Sequence, residues 1–216
     1  MQVRYIFWDL DGTIMRSEGG VLSSVRYALD KLGVTLPDSE LRRFIGPSLF
    51  DSFTNRANMT PETAEKAIEY YREVYETTGL FDAEVYEGIP EVMSELKDAG
   101  CRNVVVTSKP LRMAERVLDH FRITQYADRA VGPTPEDHSS DKAKLIRAAL
   151  DLFRADRSEA VMIGDRCFDI DGAKAVGVHS IGVLYGYGSR KELEDSGAEL
   201  IADTPADIPG AVRSIK

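Results

Sequence analysis

Four short runs rich in β-branched residues, Val3 to Phe7, Val104 to Thr107, Ala160 to Ile163 and Ser180 to Leu184, are each followed by a segment of helical periodicity. Strands that alternate with helices are joined by crossovers, and a crossover leaves neighbouring strands parallel. The order therefore predicts an α/β fold: a Rossmann-like parallel sheet flanked by helices. Helix signals lie at Ile89 to Asp98 closed by Gly100, at Leu111 to Phe121, and at Lys142 to Phe153 behind the capping-type residues Ser139, Ser140 and Asp141. Asp169 to Val176 before Gly177 and Ser189 to Ser196 before Gly197 complete the set. An open sheet of this kind binds ligands at the carboxyl ends of its strands.

Between the first and second runs the texture changes. Leu22 to Leu32 ends at Gly33, Asp38 to Phe44 ends at Gly46-Pro47, and Pro61 to Thr77 starts behind Thr60 and closes at Gly79, with no strand candidate among them. About seventy residues are too many for one crossover. We therefore expect a core domain of residues 1–14 and 85–216 carrying a small inserted all-α cap domain, residues 15–84.

Composition narrows the partners. The 27 Lys+Arg against 36 Asp+Glu leave a net charge of −9, and no basic stripe is present, so nucleic acid is excluded as a ligand. No apolar run approaches the ~20 residues that cross a bilayer, and Asp9 interrupts the N-terminal apolar stretch before a signal-peptide core forms. Cys101 and Cys167 stand far apart without a CxxC, which fits packing residues in a reducing compartment. The expectation is a cytoplasmic monomer or homodimer that handles a small molecule.

The chemistry gathers where the runs end. In Asp9-Leu10-Asp11-Gly12-Thr13 a two-residue spacing on extended backbone points both carboxylates the same way, and like charges so placed resist joint ionisation unless a cation intervenes. Thr107 and Ser108 follow the second run, where hydroxyls and amides can grip phosphoryl oxygens; Lys142 opens a helix leading to the third; Gly164-Asp165-Arg166-Cys167-Phe168-Asp169 follows that run and returns two more carboxylates to the same edge. Hard oxygen ligands there suit Mg²⁺.

In order and spacing these segments resemble the four motifs of the haloacid dehalogenase-like phosphohydrolases: DxDGT, Thr/Ser, Lys and GDxxxD. The resemblance covers nearly the whole chain, including the place of the helical insertion, and the first and last motifs are specific when found together. It implies a Mg²⁺-dependent phosphatase acting on a small phosphorylated metabolite, with phosphoglycolate and nucleoside monophosphates favoured. Asp9 would be the nucleophile that becomes an aspartyl-phosphate and Asp11 the acid and then the base. Asp9, the Asp11 carbonyl and Asp165 would hold the metal with Asp169 in support, and Thr107, the Ser108 amide and Lys142 would hold the phosphoryl group. Lys144 is the rival for the lysine role, and Lys109 is a further nearby cation. Phe44, Gly46 and Pro47 resemble a substrate-selecting loop of phosphoglycolate phosphatase-like and nucleotidase-like members. Where many relatives have an acidic residue before Ser, this chain has Arg16-Ser17, and Arg16 is either a hinge residue or an attractor of a second anionic group. A phosphosugar mutase shares nucleophile and cap type. A phospho-accepting receiver-like switch shares the acidic residues, Thr/Ser and Lys, but its acceptor follows a later strand.

Overall fold

The computed structural model describes residues 3–135 and 140–215. Six strands form one sheet: β1 (Tyr5–Trp8), β4 (Arg102–Val106), β5 (Arg129–Val131), β6 (Ala160–Gly164), β7 (His179–Val183) and β8 (Leu200–Ala202). They lie in the order β5-β4-β1-β6-β7-β8, every neighbouring pair parallel. Among the described residues two further strands, β2 (Met15–Arg16) and β3 (Glu84–Val85), form a separate two-stranded sheet, and Met15 also bridges Asp11.

The strand order carries the chain from β1 outward to one edge and then back past β1 to the other, so β1 sits between β4 and β6. Its register aligns Trp8 with Val105 on one side and Ile163 on the other. Three strands therefore end level, and residues 9, 107 and 165 leave the sheet along one edge, at the point where the order reverses. Such a reversal opens a crevice.

The central strands read as unbroken apolar runs because both of their faces are covered. On one face Phe7, Val104, Val106 and Met162 pack with Leu145, Ile146 and Ala149 of α7 (Lys142–Phe153) and Ala173 of α8 (Cys167–Val176), all buried. Trp8 is fully buried as well, which its indole N–H tolerates by donating to Asn103 Oδ1 at 2.9 Å. Asn103 in turn donates to the Met93 carbonyl at 2.8 Å in α5 (Ile89–Asp98). Beyond these lie α6 (Leu111–His120), α9 (Arg190–Ser196) and α10 (Ile208–Ser214).

The second compact unit spans residues 17–84, the first being 1–16 with 85–216. It is built from α1 (Glu18–Lys31), α2 (Asp38–Leu41), α3 (Leu49–Asn55) and α4 (Pro61–Tyr75). Thr60 caps α4 by accepting the Thr63 N–H at 3.3 Å, and Pro61 occupies the first turn, where no amide is needed. Inside the unit Phe44 meets Phe53 edge-on at 5.1 Å and Tyr71 stacks on Tyr75 at 4.9 Å.

Three differences from the sequence reading have physical causes. The segment between the first two runs does carry extended residues at both ends: Met15–Arg16 pairs with Glu84–Val85. Two-residue strands have no periodicity to read. The outer strands β5 and β8 are three residues long and partly exposed, and they also lacked a signal. Asp38 to Phe44 is not one helix, because α2 gives way to a tighter turn at Arg42–Phe44. Of the cap candidates before α7, Asp141 accepts the Ala143 N–H at 2.9 Å, and Ser139 lies outside the described residues.

Candidate active site

Asp9 follows β1 directly, its N–H bonded to the Ile163 carbonyl at 2.9 Å, so the sheet itself fixes this carboxylate. At Gly12 the chain turns with φ +94°, and its N–H meets the Met15 carbonyl at 2.7 Å. A Cβ on Gly12 would collide with the Asp165 carboxylate. Glycine is thus required twice over, for the positive φ and for the approach of the two motifs.

Lys142, in the first turn of α7, reaches under the sheet edge with its side chain 5% exposed. Its Nζ lies 2.7 Å from Asp9 Oδ1, 2.9 Å from Asp169 Oδ1 and 3.0 Å from the Val106 carbonyl. Three acceptors match the three hydrogens of an ammonium. Burial works against its charge, but Asp169 and Asp9 hold its pKa above the ordinary lysine value. Lys144, two residues on, is exposed, because half a helical turn carries it to the outer face.

Burial pushes the Asp9 carboxyl up to about 7, against the pull of Lys142 and with the help of Asp169 and, last, Asp11. The reading from spacing made Asp11 the main like-charge neighbour. Asp169 outranks it. Asp11 has an ammonium of its own: Lys109 Nζ is 2.7 Å from Asp11 Oδ1, the lysine side chain only 6% exposed.

Asp165 is fully buried at the end of β6. One of its oxygens accepts the Tyr187 N–H at 2.7 Å, while Oδ1 has no hydrogen-bond partner. Burial, then Asp169 and Asp9, raise its pKa well above the usual carboxylate range. Asp9, Asp165 and Asp169 each offer an oxygen within 4.8 Å of the others, a group able to hold a metal ion. A buried, unpartnered carboxylate oxygen beside two more carboxylates fits a hard divalent cation, whose charge would offset the repulsion. The Asp11 carboxylate does not belong to this group.

Thr107 is buried after β4 and its Oγ1 accepts the Lys109 N–H at 3.1 Å. Ser108 spends its hydroxyl on the Ser140 carbonyl at 3.1 Å, tying that loop to the approach of α7. Arg16 lies over the Tyr86 ring at 5.1 Å, and Tyr86 meets Tyr185 edge-on at 4.9 Å. In the helical unit Phe44 is buried, and Gly46, with φ +105°, and Pro47 form the bend after it. Spacing alone missed the loop after β7. Tyr187 supplies the amide to Asp165, and Tyr185 donates its hydroxyl to the Thr13 carbonyl at 3.1 Å, tying this loop to the first motif. The Gly186-Tyr187-Gly188 sequence was its only sign, since glycines flanking one residue at a strand end mark close backbone approach. Glu192 was missed too; it gathers Arg166 Nε at 2.8 Å and the Cys167 N–H at 3.0 Å, steadying the start of α8.

Among proteins of known name, the chain is 38% identical over 87% of its length to a 5'-nucleotidase of Pseudomonas aeruginosa, covering 86% of that protein. It is 34% identical over 91% of its length to the tyrosine-protein kinase PtkA of Mycobacterium tuberculosis, covering 67% of that protein. A crystal structure of a predicted phosphatase from Clostridium acetobutylicum superposes with a TM-score of 0.94 at 38% identity, over 98% of this chain and 99% of that one. The family model for haloacid dehalogenase-like hydrolases matches residues 6–183, from within β1 to the end of β7, and with it all four motifs. The chain belongs to the haloacid dehalogenase-like hydrolase family.

Proposed function

We propose that this hydrolase of phosphoric monoesters acts on a small soluble ester, a nucleoside monophosphate before phosphoglycolate, through an aspartyl-phosphate on Asp9. The observation that carries the reading is the pairing of two carboxylates with two separate buried lysines at one sheet edge, Lys142 on Asp9 and Lys109 on Asp11. Lys142 occupies Oδ1 of Asp9 and so orients the carboxylate, whose second oxygen attacks phosphorus while the ester P–O bond breaks. Asp11 gives its proton to the leaving oxygen. In the second step Asp11 takes a proton from water as the water oxygen attacks phosphorus, the bond to Asp9 breaks, and inorganic phosphate leaves with both carboxyls restored.

Asp9, Asp165 and Asp169 would hold Mg²⁺, which when bound supplies positive charge against the oxygens of the transferring group. Thr107 and Lys142 would face the same oxygens, because phosphoryl transfer is served mainly by positioned cations and donors. The favoured substrate follows the 38% identity to the Pseudomonas 5'-nucleotidase. Recognition of the leaving group would involve Arg16, which lies over the Tyr86 ring at 5.1 Å.

The test is a panel of nucleoside monophosphates, phosphoglycolate, sugar phosphates and pyrophosphate, ranked by kcat/KM with Mg²⁺ and again with EDTA, for the wild type and Asp9→Asn. We expect nucleoside monophosphates to rank first, EDTA to abolish turnover, and Asp9→Asn to be inactive. Full turnover in Asp9→Asn would sink the mechanism. Transfer from ATP to a tyrosyl peptide without hydrolysis of any monoester would sink the activity.

A further inference from the structure

The four motifs leave open the role of Lys109, which stands at the same sheet edge. Its backbone is held at three points. Its N–H donates to Thr107 Oγ1 at 3.1 Å, the next helix begins with the Leu111 N–H on the Pro133 carbonyl at 2.8 Å, and its own carbonyl lies against Gly132. A Cβ at Gly132 would come within 2.7 Å of that carbonyl oxygen, so only glycine lets the two segments close together. From this fixed base the side chain runs inward, 6% exposed, and places Nζ 2.7 Å from Asp11 Oδ1.

Stability is a poor reason for that arrangement. A buried ion pair is weak evidence for stability, because desolvating both charges offsets much of their attraction. The contact does have a directional consequence. A lysine hydrogen bond to Oδ1 fixes the rotation of the Asp11 carboxylate and leaves Oδ2 as its proton-exchanging oxygen.

We propose that Lys109 is a positioning residue for Asp11, acting on the two proton transfers and not on substrate binding. The inference rests on the acid and base roles assigned to Asp11 above. With Lys109 removed, Asp11 rotates away from the leaving oxygen and from the attacking water. An aryl phosphate, whose phenolate leaves without a proton, still phosphorylates Asp9 quickly, but hydrolysis of the aspartyl-phosphate slows. An alkyl phosphate loses both steps.

The experiment is stopped-flow and steady-state kinetics of the full chain with Mg²⁺, using 4-nitrophenyl phosphate and glycerol 2-phosphate, for wild type, Lys109→Met, Lys109→Arg, Asp11→Asn and the Lys109→Met/Asp11→Asn pair. Positioned acid–base catalysis contributes about 10²–10⁴-fold, so partial misplacement in Lys109→Met is expected to lower kcat by roughly 10–100-fold with KM within about threefold. It is also expected to show a burst near one equivalent of nitrophenolate, and a larger loss on glycerol 2-phosphate. Lys109→Arg should recover much of the rate, and the double variant should be no slower than Asp11→Asn, because groups acting through one another are non-additive. A rise in KM with kcat preserved would overturn the inference in favour of substrate contact. A rate loss in Lys109→Met that adds fully to that of Asp11→Asn would overturn it in favour of a structural role, as would equal loss in burst amplitude and slow phase. Should Lys109→Met fail to fold, Lys109→Gln, which also lacks the ammonium, is read in its place: a lowered kcat at constant KM supports the inference and an unchanged kcat overturns it. An active wild type with unaffected Lys109 variants overturns this inference alone; a wild type inactive on every monoester overturns the proposed function with it.

Discussion

Replacing Lys142 by methionine removes a cation and keeps most of the volume. The substitution strips Asp9 Oδ1, Asp169 Oδ1 and the Val106 carbonyl of a shared donor, leaving two largely buried carboxylates without their ammonium. Removing one partner of a buried pair typically costs about 3–5 kcal/mol. For a chain of this size each kcal/mol lowers Tm by about 2–4 °C, so the metal-free variant should melt roughly 6–20 °C below the wild type at pH 8.

The sign of the pH dependence follows from Asp9. Its native pKa of about 7 exceeds that of an unfolded aspartate, so between the two values the native state holds the extra proton and stability falls as pH rises. Loss of Lys142 raises the native value further. The variant's deficit should therefore be largest at pH 8 and shrink toward pH 5, where Asp9 is neutral in both proteins. Thermal melts by circular dichroism in EDTA at pH 5, 6.5 and 8 measure this directly. A deficit under about 2 °C at pH 8, or one independent of pH, would refute the claim that Lys142 neutralises buried carboxylates. With saturating Mg²⁺ the same variant should lose about 10²–10³ in kcat, the usual effect of deleting one preorganised donor to a developing charge.

Two further substitutions separate motif geometry from composition. Gly12→Ala at φ +94° should cost about 1–3 kcal/mol in backbone strain and, by displacing the Asp165 carboxylate, reduce turnover at least about 100-fold. Gly100→Ala, at φ +89° with open space around it, should show comparable strain in a denaturant melt and unchanged kcat. Equal activity of the two would contradict the close approach at Gly12. Lys144→Ala should stay within about twofold of wild-type turnover, since its side chain stands on the exposed face of α7; a crippled Lys144→Ala beside an active Lys142→Met would reverse the lysine assignment.

Much of the fold was readable because the central strands are covered on both faces. Burial on two sides forces continuous apolar runs such as Val104 to Val106 and Ala160 to Ile163, and these are visible without neighbours. The outer strands have no such obligation. Arg129–Val131 and Leu200–Ala202 exist because a parallel neighbour offers unpaired backbone groups, a cause that lies outside their own residues. The pair Met15–Arg16 and Glu84–Val85 is the same case in its shortest form. In the helical unit, Leu49–Asn55 and the break at Arg42–Phe44 escaped notice, as short helices depend on packing more than on pattern.

For the candidate site, local pattern pointed to residue types at the strand ends. Asp9, Asp11, Thr107, Lys142, Asp165 and Asp169 are all marked by their position after a run or at a helix start. What spacing could not reveal is which charge meets which. Lys109 and Lys142 are 33 positions apart, and either ammonium was free on paper to serve either aspartate. The level ends of β1, β4 and β6 give Lys142 to Asp9 and Asp169, and the pinned turn beside Gly132 gives Lys109 to Asp11. The amide of Tyr187 on Asp165 has the same origin, in a loop brought back from β7. The sequence by itself determined the architecture and which polar groups stand at the strand ends, because hydrophobic periodicity and motif spacing are local. Only the tertiary structure decided their pairing and their burial, because Coulomb energy and desolvation depend on distances in space that no interval along the chain encodes.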